Sequence, residues 1–187
     1  MQERKADISR VTGETNVHIA IDLDGTGKAD IHTGIGFFDH MLNSFARHGL
    51  FDLTVDVKGD LEVDSHHTIE DTGIVLGQAI RQAVGDKKGI RRFGDCMLPM
   101  DETLMLCALD LSGRPYLKFY MPLTVPKVGN FDTEMVHEFF YAVSYGAEMN
   151  LHLKMLDGEN NHHIIEAAFK AFAKALDKAV QYDDRIQ

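Results

Sequence analysis

The chain has 187 residues, 44% of them apolar and 26% charged, a balance that buries a core and excludes a disordered or fibrous protein. Its formal net charge of −10 argues against nucleic acid or an anionic membrane as the main partner, while leaving room for an anionic small molecule held by locally gathered basic residues. Residues 1–7 lack the apolar stretch of a signal peptide, and no run of about eighteen apolar residues exists to span a membrane, so a cytoplasmic location is expected.

Residues 6–11, 16–23 and 28–32 alternate polar and apolar side chains and read as antiparallel strands, separated by the turn signals Thr12-Gly13-Glu14 and Asp24-Gly25. Residues 40–46 read as helix and 51–57 as strand. A polar loop then leads to the tract His66-His67-x-x-Glu70, which opens a helix running to about residue 84. After a break near 85–89 the same order returns. Strands are expected at 92–98, 103–110 and 115–120, a helix at 133–145, a strand at 149–153 and a loop at 157–160. The tract His162-His163-x-x-Glu166 then opens a last helix running to about 182. The fold class is therefore α+β, an internal duplication of a βββαβα unit, with the first repeat at 1–87 and the second at 88–187. Each half supplies a four-stranded sheet, and the two sheets flank a four-helix layer.

The two tracts lie 96 positions apart, at matched places in the repeat. On a helix, each glutamate shares a face with both of its histidines, at spacings of three and four residues. The adjacent histidines themselves point about 100° apart, so they are placed to serve two different ions rather than to grip one. Aligning Leu53 with Leu151 sets Glu138 opposite His40, with His137 one residue away as the alternative. The candidate metal ligands are thus His40, His66, His67, Glu70, Glu138, His162, His163 and Glu166. Nitrogen and oxygen donors without thiolate, and with coordination to spare, suit Mn(II), Fe(II) or Co(II), with manganese preferred. His18, His32, His48 and His152 read as structural or surface residues. Cys96 and Cys107 lie in apolar stretches without CxxC spacing and read as buried thiols.

Asp22-Leu23-Asp24-Gly25-Thr26 matches a phosphatase signature, DxDGT. That chemistry needs a helix directly after it; here another short strand follows, and a hairpin turn is expected. Arg91, Arg92, which is expected to open a strand, and Arg114, in a tight turn, are the candidate anion binders, because a guanidinium offers two parallel donors to a phosphate.

Three segments, 34–41, 64–71 and 158–167, read Gly-Ile-Gly-Phe-Phe-Asp-His-Met, Asp-Ser-His-His-Thr-Ile-Glu-Asp and Gly-Glu-Asn-Asn-His-His-Ile-Ile-Glu-Ala. Together they resemble imidazoleglycerol-phosphate dehydratase, a hydro-lyase of histidine biosynthesis. The resemblance implies a fold like the second domain of ribosomal protein S5, two Mn2+ ions per active site, and a homo-oligomer of 24 subunits built from trimers with active sites between subunits. It implies metal-ligand roles for the tract residues and His40. It makes Glu14 a substrate-contacting acid and Arg92 and Arg114 phosphate binders. Glu14, with Glu70, Glu166 or a metal-bound water, is then the candidate for proton transfer, through a metal-bound imidazolate and a diazafulvene. Relatives continue into a Ser-(Ser/Thr)-Lys-Gly segment that also grips the phosphate; this sequence reads Asp184-Arg185-Ile186-Gln187 at its end.

Overall fold

A computed structural model describes residues 3–187; Met1 and Gln2, part of the N-terminal stretch read above, lie outside the described residues. The strands are β1 (Lys5–Val11), β2 (Thr15–Asp22), β3 (Ala29–His32), β4 (Asp52–Gly59), β5 (Phe93–Met100), β6 (Thr103–Asp110), β7 (Tyr116–Tyr120), β8 (Lys127–Val128), β9 (Phe131–Asp132) and β10 (Asn150–Asp157). The helices are α1 (Gly36–Gly49), α2 (His66–Val84), α3 (Met135–Ala147) and α4 (Asn161–Val180). Two four-stranded sheets result, ordered β1-β2-β4-β3 and β5-β6-β10-β7. Their matching orders bear out the duplicated α+β fold.

Each sheet is covered on one face only, which its alternation records. Val17, Ile19 and Ile21 of β2 are buried while Asn16, His18, Ala20 and Asp22 point outward. The helices pack across the duplication: α1 of the first half lies on α4 of the second, and α2 on α3. The four meet at an aromatic centre. Phe45 stacks on Phe172 with ring centroids 5.4 Å apart, Phe139 stacks on Phe169 at 5.1 Å, and Phe38 meets Phe139 edge-on at 5.4 Å. Because α4 is enclosed by α1, β5 and β6, it is apolar nearly all round, with Ala167, Ala168, Ala171, Phe172, Ala175 and Ala179 inaccessible to solvent. Among the described residues, no helix is long and apolar enough to cross a membrane.

Four expectations change. The expected hairpin after Gly25 does not form, and β3 is not antiparallel to β2. The Asp52 carboxylate accepts hydrogen bonds from the Thr26 and Lys28 amides at 2.9 and 3.0 Å, and Leu53 N donates to Lys28 O at 2.8 Å. These draw β3 onto β4, to which it runs parallel through the α1 crossover. As expected, no helix directly follows the DxDGT segment, and Asp24 holds Arg4 in a bidentate ion pair. Arg92 does not open a strand. Its backbone is left-handed (φ 71°), its amide donates to Ala179 O at 2.8 Å, and β5 begins at Phe93. The last change is an unexpected hairpin, β8–β9, inserted before α3. It packs Phe131 onto Phe37 and Phe38 and accepts Ser65 Oγ on Asp132 at 2.5 Å, so the second half braces the first-half helix starts.

Candidate metal centre and substrate site

Both tracts sit in the first turn of a long helix, as expected. Asn160 caps α4 by accepting from His163 N at 3.1 Å, and Asp64 receives His66 N at 2.8 Å before α2. Within each tract the first histidine turns onto its glutamate: His66 Nε2 lies 2.7 Å from Glu70 Oε2, and His162 Nε2 2.9 Å from Glu166 Oε2. The second histidine turns away. The rings of His66 and His67 are inclined by 70°, and those of His162 and His163 by 76°. The splay expected from helix geometry is present in both halves.

His40, at the start of α1, completes one cluster. Its Nε2 lies 3.5 Å from Glu166 Oε2, and one ligand atom from each of His40, His162 and Glu166 falls within 4.8 Å of the others. Two imidazoles and one carboxylate converging this closely form a donor set that a divalent cation fits. Glu166 is only 6% exposed. Burial pushes its carboxyl up, but Lys170, His40 and His162 outweigh that and hold it below its ordinary range. The counterpart across the duplication is looser. Glu138 on α3 lines a cavity of about 290 Å³ together with Glu70. Its neighbour His137 packs edge-on to Phe119 and stacks on Tyr141 instead.

His67 and His163 have separate carboxylate partners. His67 donates Nδ1–H to Asp60 at 2.8 Å and His163 donates Nδ1–H to Glu102 at 2.8 Å, contacts that raise both imidazole pKa values. A carboxylate on Nδ1 orients the ring and leaves Nε2 as the donor atom, the usual arrangement behind a metal-binding histidine. Glu102 also accepts from the Asn160 amide at 2.7 Å, and its carboxyl is held at about 2, first by His163 and then by Asn160. Glu14 sits in the β1–β2 turn with Oε2 3.6 Å from His67 Nε2.

Arg92 and Arg114 lie elsewhere. Arg92 forks onto Asp110 (Nε 2.7 Å, Nη2 3.1 Å) beside Ala179, near the C-terminal end of α4. From His163 to Ala179 the helix rises about 24 Å. Arg114 stands at the start of β10, where its carbonyl accepts from Asn150 at 2.7 Å. The second tract follows the other end of that strand, roughly 23 Å away. One chain therefore does not bring its arginines to its own second tract. His18 and His32 pair with Asp7 and Asp30 on the exposed outer face of the first sheet.

Sequence reading missed Asp60, Glu102 and Lys170. Lys170 reaches Glu166 Oε1 at 2.9 Å, and the Glu-x-x-x-Lys spacing on α4 was its available signal. Glu102 was findable as the repeat counterpart of Glu14, since each directly precedes the threonine that opens the second strand of its half. Nothing local marked Asp60.

A family model described as imidazoleglycerol-phosphate dehydratase matches residues 33–176. A protein of that name from Lachnoclostridium phytofermentans is 67% identical over 98% of this chain and 94% of its own length; one from Acetivibrio thermocellus is 62% identical over 99% and 95%. Among solved structures, the chain is similar to imidazoleglycerol-phosphate dehydratase from Staphylococcus aureus, with a TM-score of 0.87, 42% identity and coverage of 96% of this chain and 99% of that one. The Pyrococcus furiosus protein, solved in complex with (S)-C348, gives a TM-score of 0.84 at 34% identity, covering 96% of this chain and 97% of that one.

Proposed function

The chain belongs to the imidazoleglycerol-phosphate dehydratase family, hydro-lyases of histidine biosynthesis, and from that premise we propose that it works as a cytoplasmic homo-oligomer whose active sites lie between subunits. The substrate is D-erythro-imidazole glycerol phosphate and the product imidazole acetol phosphate. Two Mn2+ ions serve each site. The observation that carries the metal reading is the convergence of His40, His162 and Glu166, drawn from opposite halves of the chain. His66, Glu70 and Glu138 form the quasi-equivalent set, with Glu138 preferred over the aromatic-packed His137. His67 and His163, oriented through Nδ1 by Asp60 and Glu102, keep Nε2 as the atom that would ligate the second ion of a neighbouring site.

Held by these histidines and glutamates, the ions would supply Lewis acidity toward the imidazole ring of the substrate, chemistry that would ease loss of the hydroxyl from the carbon attached to the ring. The protein supplies the rest. Glu14, exposed and beside His67, is placed to take the proton from the next carbon, giving an enol that becomes the ketone. Arg92 and Arg114 hold the phosphate. Because they stand far from their own second tract, they serve the tract of an adjoining copy, within an assembly of 24 subunits built from trimers.

The test removes divalent metal with a chelator and follows formation of the product before and after Mn2+ is restored. Full activity in metal-free protein sinks the mechanism. Retention of two ions per chain in both His67→Ala and His163→Ala refutes the ligand assignment.

A further inference from the structure

Glu14 and Glu102 occupy the same position in the two halves, yet their surroundings differ. Glu102 fixes its own hairpin: its carboxylate accepts from His163 Nδ1, from the Asn160 amide at 2.7 Å and from the Glu159 amide at 3.3 Å. Those bonds occupy the group. Glu14 makes no comparable set; its nearest partner is His67 at 3.6 Å, and its side chain is more than half exposed. Its hairpin is tied down by another route. Thr15, the next residue, is buried and donates Oγ1–H to Asp71 Oδ2 at 2.5 Å, while Arg10 Nη1 lies 3.1 Å from Asp71 Oδ1. Asp71 follows Glu70 in α2 and is itself only 8% exposed. A buried carboxylate thus joins both strands of the β1–β2 hairpin to the first turns of the helix that carries His66, His67 and Glu70.

The second half has no such network. By strand register the counterparts of Arg10 and Thr15 are Leu98 and Thr103, and the tract spacing makes Ala167 the counterpart of Asp71. The Thr103 hydroxyl turns instead to Glu102 Oε1 at 3.3 Å. The hairpin is anchored by its own glutamate in one half and by the buried Asp71 carboxylate, which takes up Thr15 and faces Arg10, in the other, so the first-half glutamate is the one left over for chemistry.

We infer that Asp71, acting through Thr15 and Arg10, is the positioning residue that holds Glu14 in place beside His67 with its carboxylate free. The inference rests on the role proposed for Glu14. A general base displaced by about 1 Å loses on the order of a hundredfold in rate, whereas substrate held by other groups binds much as before.

The test is steady-state kinetics on the manganese-loaded enzyme carrying Asp71→Asn, Thr15→Val or Thr15→Ser, each also combined with Glu14→Gln, with metal content measured throughout. Asp71→Asn and Thr15→Val are expected to lower kcat by roughly tenfold to a hundredfold with KM and metal content near those of the unsubstituted enzyme, and Thr15→Ser, which keeps the hydroxyl, to stay near full rate. In the Glu14→Gln background the same changes should cost less than about twofold, because the group they position is already gone. Equal losses in both backgrounds, loss of metal, or an unchanged kcat in Thr15→Val overturns the inference. A fully active Glu14→Gln enzyme is a different failure, since it removes the role of Glu14 itself and the inference with it.

Discussion

Co-expressing two inactive variants, Arg114→Ala and His163→Ala, tests whether active sites form between subunits. Each change removes one part of the proposed site: the proposed phosphate donor in the first, a carboxylate-oriented imidazole in the second. The strand that separates Arg114 from the second tract spans roughly 23 Å, and an arginine side chain extends only about 7 Å, a distance no rotamer closes. If the two groups come from different copies, a site is intact when one contributing subunit carries the His163→Ala change and the other carries Arg114→Ala. Random mixing of equal amounts then restores about one quarter of wild-type activity per site, as expected for a heterologous interface. If both groups come from one chain, every site has a defect and nothing is restored. The assay is product formation by co-purified mixed assemblies carrying two different affinity tags, beside each variant alone. Mixed assemblies no more active than either parent refute the argument from separation.

Three further outcomes follow from packing and charge. Gly94→Ala should destabilise the fold by about 2 kcal/mol or more, since overpacking a tight site forces backbone to shift. The added Cβ would lie 1.8 Å from Ala175 O on α4, and a denaturant midpoint unchanged from wild type would contradict that geometry. Arg4 is 7% exposed, forks onto Asp24, donates to the Val180 carbonyl and lies over the Tyr182 ring at 4.5 Å. Arg4→Ala should cost about 2 kcal/mol of stability. The same ion pair holds the Asp24 carboxyl below its ordinary value. Its contribution is therefore present above the unfolded carboxylate range and lost as pH falls through the lower folded value, so Arg4→Ala should also flatten the acid limb of the stability curve; an identical acid slope in both proteins would tell against the pairing. Burial pushes the Cys107 thiol well above its ordinary pKa. That thiol should stay unreactive toward a thiol reagent at pH 8 until the protein unfolds, and prompt labelling of Cys107 in the native protein would show the sheet open there.

Much of this architecture is written in short-range pattern. Period-two alternation marked β1 and β2, and the recurrence of His-His-x-x-Glu after a strand and a polar loop marked the duplication. Helix geometry alone required the two histidines of each tract to diverge, and they do: His66 and His162 turn onto Glu70 and Glu166, His67 and His163 onto Asp60 and Glu102. Repeat alignment offered Glu138 as the counterpart of His40 and left its meeting with the second tract unread. The direct cause of that meeting is the packing of α1 on α4, a contact between residues more than 120 positions apart.

Other features lay beyond any local rule. β3 pairs with β4 because Asp52 gathers the Thr26 and Lys28 amides, and nothing near Gly25 announces an acceptor on a distant strand. Asp60 and Glu102 behind the tract histidines come from loops that reach them only once each sheet has closed. The separation of Arg92 and Arg114 from His163 is set by the lengths of α4 and β10 in place, not by spacing along the chain. Sequence by itself determined the repeat, the two histidine tracts and the divergence within each, because those depend on backbone periods of two and 3.6 residues. Tertiary structure decided which of the candidate ligands meet, which carboxylates stand behind them and which groups one chain keeps apart, because those depend on how sheets and helices stack across long loops.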